Sequence, residues 1–479
     1  MINKKYDERI KVWIENNREK VIDIWMDLAR IPSVRGESKP GAPFGEECAR
    51  AMETAVSYFR EAGFEGRAVN GTYGVCDYGS AEKTIGLFGH SDVVPAGDGW
   101  IYTEPFTPVI RDGYMIGRGV SDNKAGVMQS LCAMTILKEC EIPVKSRIRA
   151  FVGTNEESGM EDIEAFIRQE GNPDMCLVPD ASFPCSLGEK GILRMWAASN
   201  ASLTDVLDMR GGNAFNTVLD EVHTRLKKNA ALYVELERKV AGNTAFVLSE
   251  EADGTIHLES KGVSKHAAAP EDSVNAAVLS FELLSSCENL AAGDRMMMKN
   301  VAALIGSYYG EGMGIAFWDA HFGPLTAANG MVKVEDGKLW VSVDSRYGTE
   351  LAPDQLEAAI HQAWESIGFQ IADFNNRPGY QVDLQSQIPA MMTELYREIT
   401  GQERQPYYMA GGTYSRYLKN AYSVGAVAPD PDSKAIRPEL PTGHGGAHQR
   451  DEVICIDDFF QATRMIVHSI LLLDQKLNG

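Results

Sequence analysis

From Thr84 onward the sequence alternates short apolar runs with longer amphipathic ones, and that alternation narrows the available folds more than any other feature. TIGLFG, RIRAFVG (Arg147 to Gly153) and MCLVP (Met175 to Pro179) read as strands; DNKAGVMQSLCAMTILKE (Asp122 to Glu139) and Glu161 to Gln169 read as helices. TIGLFG has too few polar positions for a strand with one wet face. Strands alternating with helices build a mixed, largely parallel sheet with helices on both faces, so the expected class is α/β.

Upstream, apolar residues recur at helical spacing from Tyr6 to Leu28, and Glu46 to Glu61 repeats the pattern after a loop rich in Gly, Pro and Ser. The texture changes at Gly188. Strand-like stretches such as TIHLESKG and KLWVSVDSRY then mix with helical ones such as SVNAAVLSFELLSSCENL and LAPDQLEAAIHQAWESIG, the mark of an α+β insertion. Helices are again expected over Ile388 to Thr400 and Ile456 to Leu477. The expected organisation is a domain in two parts, 1–187 and 383–479, interrupted by an inserted domain, 188–382. A chain of 479 residues has ample material for that division.

A formal net charge of −21 argues against a nucleic-acid or anionic-membrane partner, which would carry the same sign. The eight cysteines lack a CxxC pair, so they are expected to be reduced and mostly buried. The N-terminal segment is charged throughout, and no apolar run reaches the length of a membrane span. A cytoplasmic protein is the expectation.

Chemistry-bearing residues gather where strands end. His90 and Asp92 follow TIGLFG, Asp122 follows GRGVS, Glu156 and Glu157 follow RIRAFVGTN, and Asp180 follows MCLVP. Strand ends of an open α/β sheet leave the crevice in which such folds bind ligands. His448 lies in TGHGGAHQRDE, before the last helix. Each has an ordinary alternative: polar packing for the HxD pair, a helix N-cap for Asp122, a first helical turn for the glutamates, a turn for Asp180. Together, two histidines, two single carboxylates and one of the glutamate pair offer nitrogen and oxygen ligands for zinc or a related divalent ion. Five ligands exceed one open tetrahedral site, so a carboxylate bridging two ions is the economical arrangement, with the other glutamate free as a base. Paired ions about 3.5–4 Å apart would serve amide hydrolysis by water, without a covalent intermediate.

The runs GLFGHSDVVPAGDGW, GRGVSDNKAG, VGTNEESGMED and CLVPDASFP, with the late GAH, resemble the co-catalytic zinc peptidase family of carnosinases, glutamate carboxypeptidases, acetylornithine deacetylases and bacterial dipeptidase V. The resemblance covers essentially the whole chain. It implies His90 and Asp180 as ligands of one metal, Glu157 and His448 as ligands of the other, and Asp122 as the carboxylate spanning both. It further implies Glu156 as general base, Asp92 as the carboxylate that holds the His90 imidazole, and a cis peptide between Asp122 and Asn123. The metals would be zinc, with manganese or cobalt as substitutes.

Within the insertion, KGVSKHAAAPEDSVNA resembles the family's lid motif and puts His266 at the carbonyl-polarising position, although Ser264 and Lys265 depart from the common small pair. DSRYGTE matches Arg346 to the arginine that holds a substrate carboxylate, a task suited to its planar fork. Asn216 in RGGNAFNTV, and Gly412 with Thr413 in AGGTYSR, resemble further substrate contacts. The long insertion resembles the enlarged lid of dipeptidase V, which implies a monomer supplying its own His266. The implied activity is hydrolysis of small unblocked dipeptides. An N-acyl amino acid deacylase shares the chemistry, and a non-catalytic metal- or peptide-binding descendant is the third reading. YYGEGMG lacks the strand, glycine and helix order of a dinucleotide site.

Overall fold

Thr84–His90 forms a strand buried along its whole length, the consequence of an apolar run flanked by strands on both sides and covered on both faces. Its neighbours are Arg147–Gly153 and Met175–Ala181, both parallel to it. Ala421–Gly425 continues the parallel set beside Met175–Ala181. On the other edge Tyr73–Tyr78 and Glu65–Val69 add antiparallel pairs, completing a mixed six-stranded sheet. The helix Lys124–Glu139 is buried from Lys124 through Leu137, so its sequence shows little amphipathic contrast. Outside it lie the first helix, Lys4–Ala29, and the last, Ile456–Asn478, where Trp25 stacks on Phe459 with ring centroids 4.2 Å apart.

The computed structural model describes residues 2–479 and separates into two compact units. The first runs to Gly188 and resumes over Gln381–Tyr407 and Thr413–Gly479; the second comprises Glu189–Tyr380 and Tyr408–Gly412. The expected return to the first domain at 383 holds except for Tyr408–Gly412, which packs with the second unit. The cause is hydrogen bonding: the Met409 carbonyl accepts from the Lys190 amide at 2.8 Å and the Ala410 carbonyl from Arg346 Nη1 at 3.1 Å.

The second unit is built on a nine-stranded antiparallel sheet. Gly191–Ser199 alternates buried and half-buried positions along this sheet. Its Leu193, Met195 and Ala197 share a core with Phe281, Val301, Ile360 and Trp364 of three covering helices, Ala276–Ser285, Ala292–Ile305 and Pro353–Ser366. All eight cysteines are free and buried. No helix among the described residues is long and apolar enough to cross a membrane.

Asp7 ties the two ends of the first unit together. Arg464 donates to its two oxygens at 2.6 and 2.9 Å, and His468 Nε2 lies 3.0 Å from Oδ1. Burial pushes the Asp7 carboxyl up, but His468 and Arg464 outweigh it and hold the group well below the usual carboxylate range. A depressed carboxyl adds stability that is complete above its unfolded value, about 4, and is lost as pH falls toward the folded one. Asp7→Asn is therefore expected to lower unfolding free energy at pH 7 by about 1–3 kcal/mol and to flatten the acid limb of the stability curve. Urea unfolding at several pH values checks this, and equal stability of the two proteins at pH 7 would refute it.

Candidate metal centre

The three central parallel strands end side by side, and the register pairs His90 with Gly153. His90 closes its strand at 1% exposure, Glu156 and Glu157 follow Gly153 in the next turn, and Asp180 lies near the end of Met175–Ala181. Asp122 does not begin a helix. The helix starts at Lys124 with Asn123 in the cap position and no capping side-chain bond, which removes the N-cap alternative. The Asp122–Asn123 peptide is cis.

Two trios of ligand atoms form there, and Asp122 belongs to both. His90 Nε2 lies 3.3 Å from Asp122 Oδ1 and 3.7 Å from Asp180 Oδ2. His448 Nε2 lies 3.1 Å from Asp122 Oδ2 and 3.0 Å from Glu157 Oε2. Zinc bonds of about 2.0–2.1 Å in tetrahedral geometry put neighbouring ligand atoms about 3.3 Å apart. The separations fall around that value, with a different Asp122 oxygen serving each trio. Glu156 Oε2 is 3.9 Å from His90 Nε2.

His90 Nε2, Glu156 Oε1 and Glu157 Oε1 are buried without a hydrogen-bond partner. Buried polar atoms are ordinarily satisfied, so an unsatisfied His90 Nε2 within one trio and unsatisfied carboxylate oxygens on the two adjacent glutamates fit a cluster that holds cations. A further trio, Glu221, His223 and Glu259, differs in being largely exposed and mutually satisfied: His223 Nε2 meets Glu221 at 2.7 Å, and Lys261 meets Glu259 at 2.8 Å.

Charge crowding perturbs the whole cluster. Burial lifts the Glu156 and Asp180 carboxyls well above the usual range, with neighbouring carboxylates adding to it, and lifts Glu157 in the same direction. Burial acts on Asp122 too, yet His448 and His90 override it and hold that carboxyl well below the usual range. The Asp122 and Glu157 carboxylates push the His448 imidazole up to about 11. For His90, burial favours the neutral ring, but Asp122 and Asp92 prevail and raise it.

Hydrogen bonds hold the frame. Asp92 accepts from the Glu156 amide at 3.2 Å and the Glu157 amide at 3.1 Å, while its carboxylate lies 3.4 Å and its carbonyl 3.0 Å from His90 Nδ1. Asn123, expected from the sequence only as the partner of a cis peptide, also donates to Asp180 Oδ1 at 2.9 Å and to the Pro179 carbonyl at 2.6 Å. Asp162, which the sequence analysis passes over, accepts from the Thr154 and Asn155 amides and from the Tyr414 hydroxyl at 2.6 Å, and the Tyr414 ring stands edge-on to His90. Asn123 adjoins Asp122 in GRGVSDNKAG, so its position was a signal; Asp162 and Tyr414 gave none.

The remaining sequence-predicted residues stand in the second unit or at its border. His266 is exposed, in a segment whose Ala267 amide donates to the Asn216 carbonyl at 2.8 Å, so the His266 and Asn216 stretches run together. Arg346 is buried, with Nε at 2.5 Å and Nη2 at 3.1 Å from the Asp344 carboxylate. Gly412 ends the second unit. Thr413 is buried, and its hydroxyl accepts from the Ser415 amide at 3.1 Å as the cap of a short 3-10 helix.

Residues 86–472 match peptidase family M20/M25/M40. The chain belongs to that family. A Bacillus subtilis (strain 168) relative bearing the name "Putative dipeptidase YtjP" is 28% identical over 472 residues, 96% of this chain and 98% of its own. Human carnosine dipeptidase 1 superposes with a TM-score of 0.58 at 13% identity, over 98% of this chain and 100% of its own. The Saccharomyces cerevisiae di-peptidase Dug1p gives 0.59 at 13%, over 98% of each chain. At such identities the likeness to the solved structures is one of fold. The M20 chain is thus an α/β peptidase acting on a peptide substrate, and its candidate metal-ligand groups suit a family that includes a Sulfolobus solfataricus metallo-carboxypeptidase.

Stripping with a chelator is expected to lower the Tm, and returning Zn2+ to raise it. At free ion 1,000-fold above Kd, each site adds about 4 kcal/mol to stability. A Tm indifferent to both treatments would count against a metal at this cluster.

Proposed function

We propose that this peptidase is a dinuclear metal-dependent dipeptidase that cleaves the amide bond of small unblocked dipeptides. The observation that carries the proposal is the division of the Asp122 carboxylate, one oxygen toward His90 and Asp180, the other toward His448 and Glu157. His90, Asp180 and Asp122 would hold one ion, and Glu157, His448 and Asp122 the other, with zinc favoured by the nitrogen and oxygen donors and manganese or cobalt as substitutes. Such a pair, when bound, acidifies a shared water and polarises the scissile carbonyl.

This chain's own groups do the remaining work. Glu156 takes the proton of the attacking water and returns it to the leaving amine; its carboxylate lies beside His90, and Asp92 holds the amides of both turn glutamates. Asp92 also orients His90 through Nδ1. The inserted domain, expected over 188–382 in the sequence, acts as a lid on a catalytic domain formed by the flanking parts of the chain. From it His266 steadies the carbonyl oxygen, and Arg346, braced by Asp344, faces the substrate carboxylate. Asn216, Gly412 and Thr413 complete the contacts. The names of the Bacillus, human and yeast relatives support dipeptide substrates. A monomer supplying His266 in cis follows from the long insertion, and the net charge of −21 with free cysteines supports a cytoplasmic setting.

Glu156→Gln is expected to leave metal content within error of wild type while lowering kcat about 10²–10⁴-fold. Metal analysis and steady-state kinetics on the same preparation decide the point; undiminished turnover would exclude Glu156 as the base. A free dipeptide is expected to be cleaved faster than its N-acetylated form in a panel resupplied with one metal at a time. The reverse ranking would make the protein an N-acyl amino acid deacylase.

A further inference from the structure

Glu452 is not among the metal-ligand candidates, yet it is fully buried and takes four donors on two oxygens. Oε2 accepts from Arg118 Nη1 at 2.8 Å and the Gly119 amide at 3.0 Å; Oε1 accepts from the Ser121 amide at 2.8 Å and the Asp122 amide at 3.0 Å. The Glu452 carbonyl also accepts from the Gly117 amide at 3.0 Å. One residue therefore fixes the entire turn that ends at Asp122.

The same residue belongs to the stretch that presents His448. Next to it, Asp451 accepts from the Ile101 and Tyr102 amides at 3.0 and 2.9 Å and lies 2.6 Å from His444 Nδ1. His448 itself is half exposed and has a left-handed backbone, φ 62°. The loop is thus anchored at its base by two adjacent carboxylates, one reaching toward the Asp122 turn and one away from it.

Stability alone does not call for a charge here. Buried ion pairs can often be replaced by apolar residues without loss, because desolvation offsets their attraction. What only an ionised carboxylate supplies is acceptor capacity for four converging donors, with no hydrogen of its own to oppose them. We propose that Glu452, held by Arg118, is a positioning residue of the metal centre: it fixes the Asp122 carboxylate relative to His448 and thereby sets metal affinity and turnover. The proposal rests on Asp122 being the ligand shared by two ions.

Glu452→Gln keeps the shape but turns an NH2 group toward backbone donors. Glu452→Asp keeps the charge but withdraws it by one methylene. With full-length, metal-stripped protein, Zn2+ dissociation constants come from equilibrium dialysis, and kcat and KM are measured at saturating Zn2+, below each variant's own Tm. The expected order of affinity is wild type, then Glu452→Asp, then Glu452→Gln, the last weakened about 10–100-fold. In Glu452→Gln, kcat is expected to fall while KM changes by less than about twofold, as when transition-state geometry is lost without substrate contact. A Glu452→Gln protein with wild-type affinity and kcat overturns the proposal even if its Tm is lower, and so does a Glu452→Asp protein weaker than Glu452→Gln. Should Glu452→Gln not fold, a Glu452→Asp protein equal to wild type overturns it. A wild type that binds fewer than two ions per chain defeats the dinuclear reading first, and that failure is visible before any variant is made.

Discussion

Repulsion among buried carboxylates is the constraint around which the first unit is organised. Asp122, Glu156, Glu157 and Asp180 share one crevice with two imidazoles. Two like charges about 4 Å apart oppose each other by roughly 4 kcal/mol even at an effective dielectric of 20. Left to themselves such side chains would rotate apart into solvent. The structure prevents this by setting Asp180 in a strand and the other three acids in turns, and by using further acids as acceptors for backbone amides: Asp92 for Glu156 and Glu157, Asp162 for Thr154 and Asn155, Glu452 for Ser121 and Asp122. A charge that cannot relax is one that an added cation stabilises strongly, so the rigidity and the ligand function have one cause.

Rigidity of this degree requires backbone segments to approach closely. A β-carbon at Gly126 would sit 2.4 Å from Asn123 Oδ1 and 2.8 Å from the Pro179 carbonyl, and one at Gly153 would collide with the Tyr414 hydroxyl. Both glycines lie where the helix following Asp122 and the turn before Glu156 meet the sheet. Phe88, Phe151 and Phe166 pack beneath that point with ring centroids 5.1–5.4 Å apart, so the ends of the central strands rest on a dense aromatic layer. Sequence order thus becomes site geometry through the parallel register, which aligns His90 with Gly153 and so brings the following acids to one rim.

The strands of that rim were legible because each is a short, largely apolar run followed within three residues by an acid or an imidazole. TIGLFG, RIRAFVG and MCLVP all form strands at or within two residues of their expected limits. Less legible were residues whose work depends on tertiary neighbours. Glu452 stands in HQRDEV, where an acid reads as a solvated loop charge, and nothing local reveals Arg118 or the three amides that surround it. Arg346 shows the converse. Its place near a strand end was visible, but Asp344, two residues earlier and therefore on the same face, engages two of its nitrogens. The segment Tyr408–Gly412 joins the second unit through its main-chain carbonyls, whose partners composition does not encode.

The two halves of the cluster are not equivalent, and the difference follows from what carries each histidine. His90 completes a central strand and is sealed at 1% exposure, whereas the His448 side chain stands on a loop at 51%. An ion on the His90 side would lie within the sheet's own scaffold, with Asp180 held by Asn123. An ion on the His448 side would depend on a loop whose order comes from its base, where Asp451 and Glu452 fasten it. Solvent therefore reaches the cluster on the His448 side, while the His90 side is closed by the sheet. Asp122, divided between the two, is where precision in one half is transmitted to the other.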